Sequence, residues 1–337
     1  MLDSESIRAY FDRLIKPPGS LGVWEELAER LCLIQQTLKP MVKHAELIVF
    51  AADHGVVASG VSMWPSSVTT LMIEQIAIGK SASAVLANEF QIDYRVVDVG
   101  SLKAPSITHP KLSSRRIAAG TQNLLHEPAM SNHEFREAMS IGADEARMSL
   151  VRGAQVVIVG EMGIGNSTSA SCLARLLADV PIENAVGTGA GATDETLLAK
   201  VAAVQTATDR VLERCGRSID ESALAAVSGF EIAAMAGYFV QAARQNQVIL
   251  LDGMIASAGA LIAQQYFPEV INNMIAAHQS EEPAHADMLR KLTLKPMLQW
   301  GMRLGEGTGG LALYPLLRGA AAWVSGMAKL SDLDIAK

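Results

Sequence analysis

Val156-Val157-Ile158-Val159-Gly160-Glu161-Met162-Gly163 is the stretch that decides the fold. Four β-branched residues run without a polar break and stop at a glycine-rich turn. A strand that is apolar on both faces must be covered on both faces, which is the situation of a strand inside a parallel α/β sheet. The same unit recurs at Leu47–Ala51 before Asp53-His54-Gly55, at Tyr94–Val97 before Asp98-Val99-Gly100, and at Val248–Leu251 before Asp252-Gly253. Helical stretches separate these runs, so the pattern predicts an α/β fold with a Rossmann-like parallel sheet flanked by helices. Ligands of such sheets bind beyond the carboxyl ends of the strands. All four turns are therefore expected on one edge, where scattered motifs become one site.

The two ends of the chain read differently. Ser6–Ile15 and Val23–Thr37 are expected to be helices around a Pro17-Pro18-Gly19-Ser20-Leu21-Gly22 turn, and the Ala- and Leu-rich tail at 311–330 is again helical. The expected organisation is a large α/β catalytic domain over 43–295 and a smaller helical domain built from 1–42 and 296–337. The polar stretch Ser101–Gln122 is the best candidate for a mobile surface segment, with Lys111, Arg115 and Arg116 as a solvated basic face.

Composition removes several function classes. Half of the 337 residues are hydrophobic, 19% are charged and 5% are aromatic, which suits helices on a buried sheet and argues against disorder. A formal charge of −7 disfavours nucleic acid, whose phosphates need a concentrated basic face. No apolar run reaches the roughly 18 residues a membrane helix needs, Glu231 and Asp252 interrupting the greasiest stretches. The opening segment carries acids where a secretory signal would be basic and then apolar. Cys32, Cys172 and Cys215 have no metal-ligand spacing and read as reduced interior residues. Together these predict a cytoplasmic protein that binds neither membrane nor nucleic acid.

Glycine-rich turns bring backbone N–H groups close to anions. Gly187-Thr188-Gly189-Ala190-Gly191 is one, with Lys200 placed to face back toward it from the following helix; a turn chosen only for packing is the competing reading. Gly187, Gly189 and Ala192 also satisfy a loose dinucleotide pattern, but Pro181–Val186 is a poor strand to precede it. Gly79-Lys80-Ser81 resembles the end of a phosphate loop, yet Glu74 stands where the first glycine is required. Two carboxylates lie inside glycine-rich loops, Glu161 and Glu306. A carboxylate in a partly dry pocket has a raised pKa and suits proton transfer near neutral pH, although both could instead cap helices. Asn166, Ser167 and Thr168 read as the start of a helix, as caps or as substrate contacts. Asp53-His54 reads equally as a turn acid with its hydrogen-bonded neighbour and as a substrate contact. His278 and His285 fit no metal spacing, and no nucleophile motif is present.

These pieces follow one another in an order that resembles the nicotinate-nucleotide:dimethylbenzimidazole phosphoribosyltransferase family. The matching segments are Ile15–Gly22, Ala52–Val56, Gly60–Ser62 with Pro65, Val68 and Thr69, Gly160–Thr168, Gly229–Gly237, Leu251–Gly253, Ser280–His285 and Leu304–Gly309. The resemblance implies transfer of phosphoribose from nicotinate mononucleotide to 5,6-dimethylbenzimidazole or a related base, releasing nicotinate. It implies Glu306 as general base and Glu161 as a second acid near the donor. Donor and phosphate contacts would come from Gly189, Gly191, Lys200 and Ser280, with Gly163 and Asn166 beside them. The acceptor pocket would involve Ser62, Trp64, Pro65, Thr69, Met72 and Leu304. It further implies a homodimer, or a heterodimer with a paralogue, and neither cofactor nor metal. Two stretches depart from the common family pattern: the 187–191 turn lacks an arginine, and Trp64-Pro65-Ser66-Ser67 replaces a Tyr-Pro-Gln-Glu type of sequence. The alternatives are a phenol-accepting relative, a catalytically silent paralogue, and a nicotinamide-dependent dehydrogenase suggested by the loose glycine pattern.

Overall fold

The structure is a computed structural model that describes residues 1–187, 191, 193–216 and 218–333. The chain opens with helices α1 (Ser4–Phe11) and α2 (Val23–Gln35), then strand β1 (Ala45–Ala52). Helices α3 (Ser67–Ala77) and α4 (Ala82–Glu89) lead to β2 (Asp93–Gly100) and β3 (Leu112–Ser114). The long α5 (Asn132–Val151) precedes β4 (Val156–Met162), α6 (Asn166–Ala178) and the single turn α7 (Ile182–Ala185). Next come α8 (Asp194–Cys215), α9 (Glu221–Val227), α10 (Phe230–Arg244) and β5 (Val248–Leu251). The order closes with α11 (Met254–Tyr266), β6 (Met274–Ala276), α12 (His285–Lys291) and α13 (Thr308–Gly326).

Among the described residues the six strands form one sheet in the order β3-β2-β1-β4-β5-β6, every pairing parallel. That is the Rossmann-type order, with its switch of direction between β1 and β4. The apolar runs are explained by what covers them. Ile48, Phe50, Val157, Val159, Ile249 and Leu251 point into one buried cluster with α5, α6, α8, α10 and α11. Their neighbours Leu47, Val49, Val156, Ile158, Val248 and Leu250 point the opposite way, into a second cluster with α1–α4 and α13. The period of two along each strand sends alternate residues to opposite faces, and both faces are dry.

The helices from the two ends meet on that second face. Phe11 and Trp323 stack edge to face with ring centroids 4.9 Å apart, Trp24 Nε1 donates to the Leu316 carbonyl at 2.8 Å, and Tyr10 donates to the Val324 carbonyl at 3.1 Å. Their boundaries differ from expectation for local reasons. α1 starts earlier than Ser6 because Asp3 and Ser6 close a capping box, and it stops at Phe11, well before the Pro17-Pro18 pair. The tail helix begins at Thr308, ahead of the expected 311, because Asp252 takes the N–H groups of its first turn.

Two expectations are corrected. The Ser101–Gln122 stretch is tied down rather than free: it contributes β3, and the N–H groups of Ile117, Gly120 and Thr121 bond the carbonyls of Val99, Gly100 and Asp53 at 3.0–3.1 Å. Arg116 is part of that tether, its guanidinium donating to the Ser101 carbonyl at 2.7 Å beside the buried Asp98. β3 and β6, three residues each, were too short to show a period. No helix is long and apolar enough among the described residues to cross a membrane.

Candidate active site

Beyond the carboxyl ends of β4, β5 and β6 lies a cavity of about 500 Å³. Glu161 and Met162 close β4 and enter its wall, followed by Gly163, Ile164, Gly165, Asn166 and Ser167. Asp252 and Gly253 come from the end of β5, and His278 and Ser280 follow β6. The stretch after β1 supplies Val61, Ser62, Trp64, Val68 and Met72, the loop before α13 supplies Leu304, Gly305 and Glu306, and Lys200 reaches in from α8. The lining thus combines apolar and aromatic side chains with two cations, Lys200 and Arg303. Of the four strand-end turns expected at one site, those of β4 and β5 line the cavity. Those of β1 and β2 brace each other instead, Leu102 N–H donating to Asp53 Oδ2 at 2.7 Å.

Glu161 and Glu306 share this cavity by close backbone contact. A Cβ added to Gly160 would sit 2.2 Å from the Glu306 carbonyl carbon, so only glycine lets the loop rest on the strand. A Cβ on Gly305 would lie 2.2 Å from Glu161 Oε1, which places that carboxylate directly against the residue preceding Glu306. The loop itself is wound left-handed through Gly305 (φ 88°), Glu306 (φ 58°) and Gly307 (φ 79°). A non-glycine residue held there costs about 1–3 kcal/mol, a strain characteristic of functional sites. Asp252 holds the loop in place, its carboxylate accepting from Gly307 N–H at 3.0 Å and Gly309 N–H at 2.7 Å. An acid at a helix N-terminus satisfies the free donors and the dipole together.

The two carboxylates have different surroundings. Burial pushes the Glu161 carboxyl up to about 8, and the nearby acids Asp252, Glu231 and Glu306 add to the rise while a bond from Asn166 Nδ2 opposes it. Glu306 is 4% exposed, and its Oε2 accepts from the Ser83 hydroxyl at 2.6 Å and faces the Ser83 N–H at 3.4 Å. Lys200 is 3% exposed and donates to the Gly187 carbonyl at 3.0 Å; burial holds its pKa below the ordinary lysine value, with Glu282 working against that shift. Glu282 Oε2 is buried without a hydrogen-bond partner on the cavity wall.

The structure places most of the expected residues on this wall: Glu306, Glu161, Gly191, Lys200, Ser280, Gly163, Asn166, Ser62, Trp64, Met72 and Leu304. Gly189 lies outside the described residues. Pro65 and Thr69 are not among the lining. Thr69 is fully buried on the inner face of α3, where its hydroxyl accepts from Ile164 N–H at 3.1 Å, so it braces the β4 turn. His54 is also buried behind the wall, bonded to Glu231 at 2.7 Å and Ser169 at 3.1 Å, which decides the Asp53-His54 pair as framework. His285 is no free ligand either. Its Nδ1 accepts from Ser280 N–H at 2.8 Å and its Nε2 meets Ser257 at 3.0 Å, an arrangement that requires a neutral ring, and burial lowers its pKa to about 3. Asn166 opens α6, with Gly165 as the capping residue, and spends its side chain on Glu161. Reasoning from sequence missed Ser83 and the anchoring by Asp252, which only contacts across the fold reveal.

A cavity lined by two cations, Lys200 and Arg303, by four acids and by apolar side chains fits a phosphorylated substrate and a flat apolar one. The family model described as phosphoribosyltransferase matches residues 3–335. The chain belongs to this phosphoribosyltransferase family. The nicotinate-nucleotide–dimethylbenzimidazole phosphoribosyltransferase of Ralstonia nicotianae is 40% identical over 98% of this chain and 93% of its own length. The enzyme of the same name from Pseudomonas fluorescens is 38% identical over 98% and 94%. The crystal structure of CobT from Thermus thermophilus superposes with a TM-score of 0.93 at 36% identity, covering 99% of both chains.

Proposed function

We propose that this phosphoribosyltransferase moves the phosphoribosyl group of nicotinate mononucleotide onto 5,6-dimethylbenzimidazole or a related lower-ligand base, giving α-ribazole 5′-phosphate and nicotinate for cobamide biosynthesis. The observation that carries the reading is the meeting of Glu306, Glu161 and Lys200 in one cavity that Trp64, Val68, Met72 and Leu304 also line. Family membership supports the reaction type.

Lys200, with Gly191 and Ser280, would anchor the phosphate, while Trp64, Val68, Met72 and Leu304 would sandwich the planar acceptor. Glu306 would take the acceptor's N–H proton as its other ring nitrogen bonds to C1′. The bond from C1′ to nicotinate breaks, and its electron pair returns to the pyridine nitrogen. The pyridinium is already an activated leaving group, so positioning and one base are enough. Glu161, neutral at pH 7, would serve as a hydrogen-bond donor beside the donor sugar. In this reading residues 43–295 form the catalytic domain and 1–42 with 296–337 a small helical one, which would deliver the base. We place the enzyme in the cytoplasm as a homodimer or as a heterodimer with a paralogue, a choice that light scattering of the purified chain, alone and with the paralogue, measures directly.

The test is nicotinate release, followed by chromatography. Release is expected only when nicotinate mononucleotide and the benzimidazole are both supplied. No release with any benzimidazole would contradict the reading, and release with phenols alone would reassign the acceptor.

A further inference from the structure

Ser83 lies in the first turn of α4 and is fully buried, outside the cavity lining. Its hydroxyl has one proton, and the bond of 2.6 Å that it donates to Glu306 Oε2 uses it. The contact of 2.9 Å between the hydroxyls of Ser81 and Ser83 must then run from Ser81 to Ser83. Ser81 in turn accepts from the N–H of Ala84 at 3.2 Å, as the capping residue of the helix. Every donor in this chain points toward Glu306, and bonds arranged head to tail polarise and strengthen one another.

A carboxylate on a left-handed loop flanked by glycines has few local constraints on its side chain. Asp252 fixes the backbone on either side of the loop's end, at Gly307 and Gly309, but it does not touch the Glu306 carboxylate. Ser83 supplies what is missing. By engaging Oε2 it sets the rotation of the carboxylate, whose residue lines the cavity, and leaves Oε1 as the oxygen it does not hold.

We propose that Ser83 is a positioning residue for the transfer reaction: it locks Oε2 of Glu306, so that Oε1 is presented to the acceptor as the proton-accepting atom. This rests on Glu306 being the general base. A serine kept only for packing would leave catalysis indifferent to its hydroxyl, and a positioning role would not.

The experiment measures steady-state nicotinate release with nicotinate mononucleotide and 5,6-dimethylbenzimidazole. Ser83→Ala is expected to lower kcat by about ten- to a hundredfold, the worth of a hydrogen bond to a charged group, with KM for the donor within about twofold. Ser83→Thr, which keeps the hydroxyl, restores most of the loss. In a Glu306→Gln background Ser83→Ala changes kcat by less than about twofold, because coupled residues are not additive. If Ser83→Ala is too unstable to assay, Ser83→Cys, similar in shape and weaker as a donor, is read in the same way. Unchanged kcat in Ser83→Ala, or an equal loss in the Glu306→Gln background, overturns the proposal. Absence of nicotinate release from the unaltered enzyme would instead overturn the reaction assignment.

Discussion

Glu161 and Glu306 open into the same cavity, yet the molecule treats them oppositely. Glu161 ends a strand, fixed by the sheet, with further acids around it and one amide donor from Asn166. Glu306 rides on a strained loop, its Oε2 facing two donors on the buried Ser83. Identical side chains thus receive different tasks from their surroundings. The crowded, dry carboxyl keeps its proton at neutral pH, and the donor-bound one is held in a fixed orientation. The proposed mechanism pairs a fixed neutral acid with a positioned base.

The largest expected effect is at the base. Glu306→Gln should lower kcat by about 10²–10⁴-fold, the usual worth of general-base help, while calorimetry still finds nicotinate mononucleotide bound. Next comes the buried lysine: Lys200→Met should raise KM for the donor by about ten- to a hundredfold with a smaller change in kcat. Glu161→Gln should be milder than either, losing less than about tenfold at pH 7, because glutamine imitates the protonated acid. Its clearest signature is in the pH profile. Activity of the unaltered enzyme should fall as pH rises through about 8, and that limb should vanish in the variant.

The smallest effect is on stability. The folded enzyme holds the Glu161 proton to about 8, whereas an ordinary glutamate releases it near 4.5. The folded state therefore binds more protons between these values, and this contribution to stability is complete below 4.5 and lost as pH rises toward 8. Melting curves of the unliganded enzyme should show Tm falling across that window more steeply than in Glu161→Gln. Parallel curves would remove the basis for treating Glu161 as neutral.

The contrast between the two acids also marks how far sequence could be read. Strands β1, β2, β4 and β5 were legible because each is an apolar run ending in a turn, and α/β logic then put Glu161 and Asp252 at one edge. Glu306 stood out because glycines on both sides leave a carboxylate no packing role. What gives each acid its character was invisible. Ser83 is one serine in an Ala-rich helix, 223 residues from the carboxylate it holds, and nothing local distinguishes it from a solvent-facing residue. Thr69 was misplaced for the converse reason: a motif match gave its neighbourhood, but only the helix face shows that it points into the framework. The Asp53-His54 pair stayed undecided in the sequence, since the buried contact of His54 with Glu231 needs two segments 177 residues apart to meet.

The division of labour is tested most directly by a crystal structure of the enzyme with 5,6-dimethylbenzimidazole bound. A ring nitrogen is expected within about 3.2 Å of Glu306 Oε1, with Oε2 still on Ser83 and the ring against Trp64 and Met72. An acceptor whose nitrogen is bonded to Glu161, with Glu306 turned away from the ring, would contradict it.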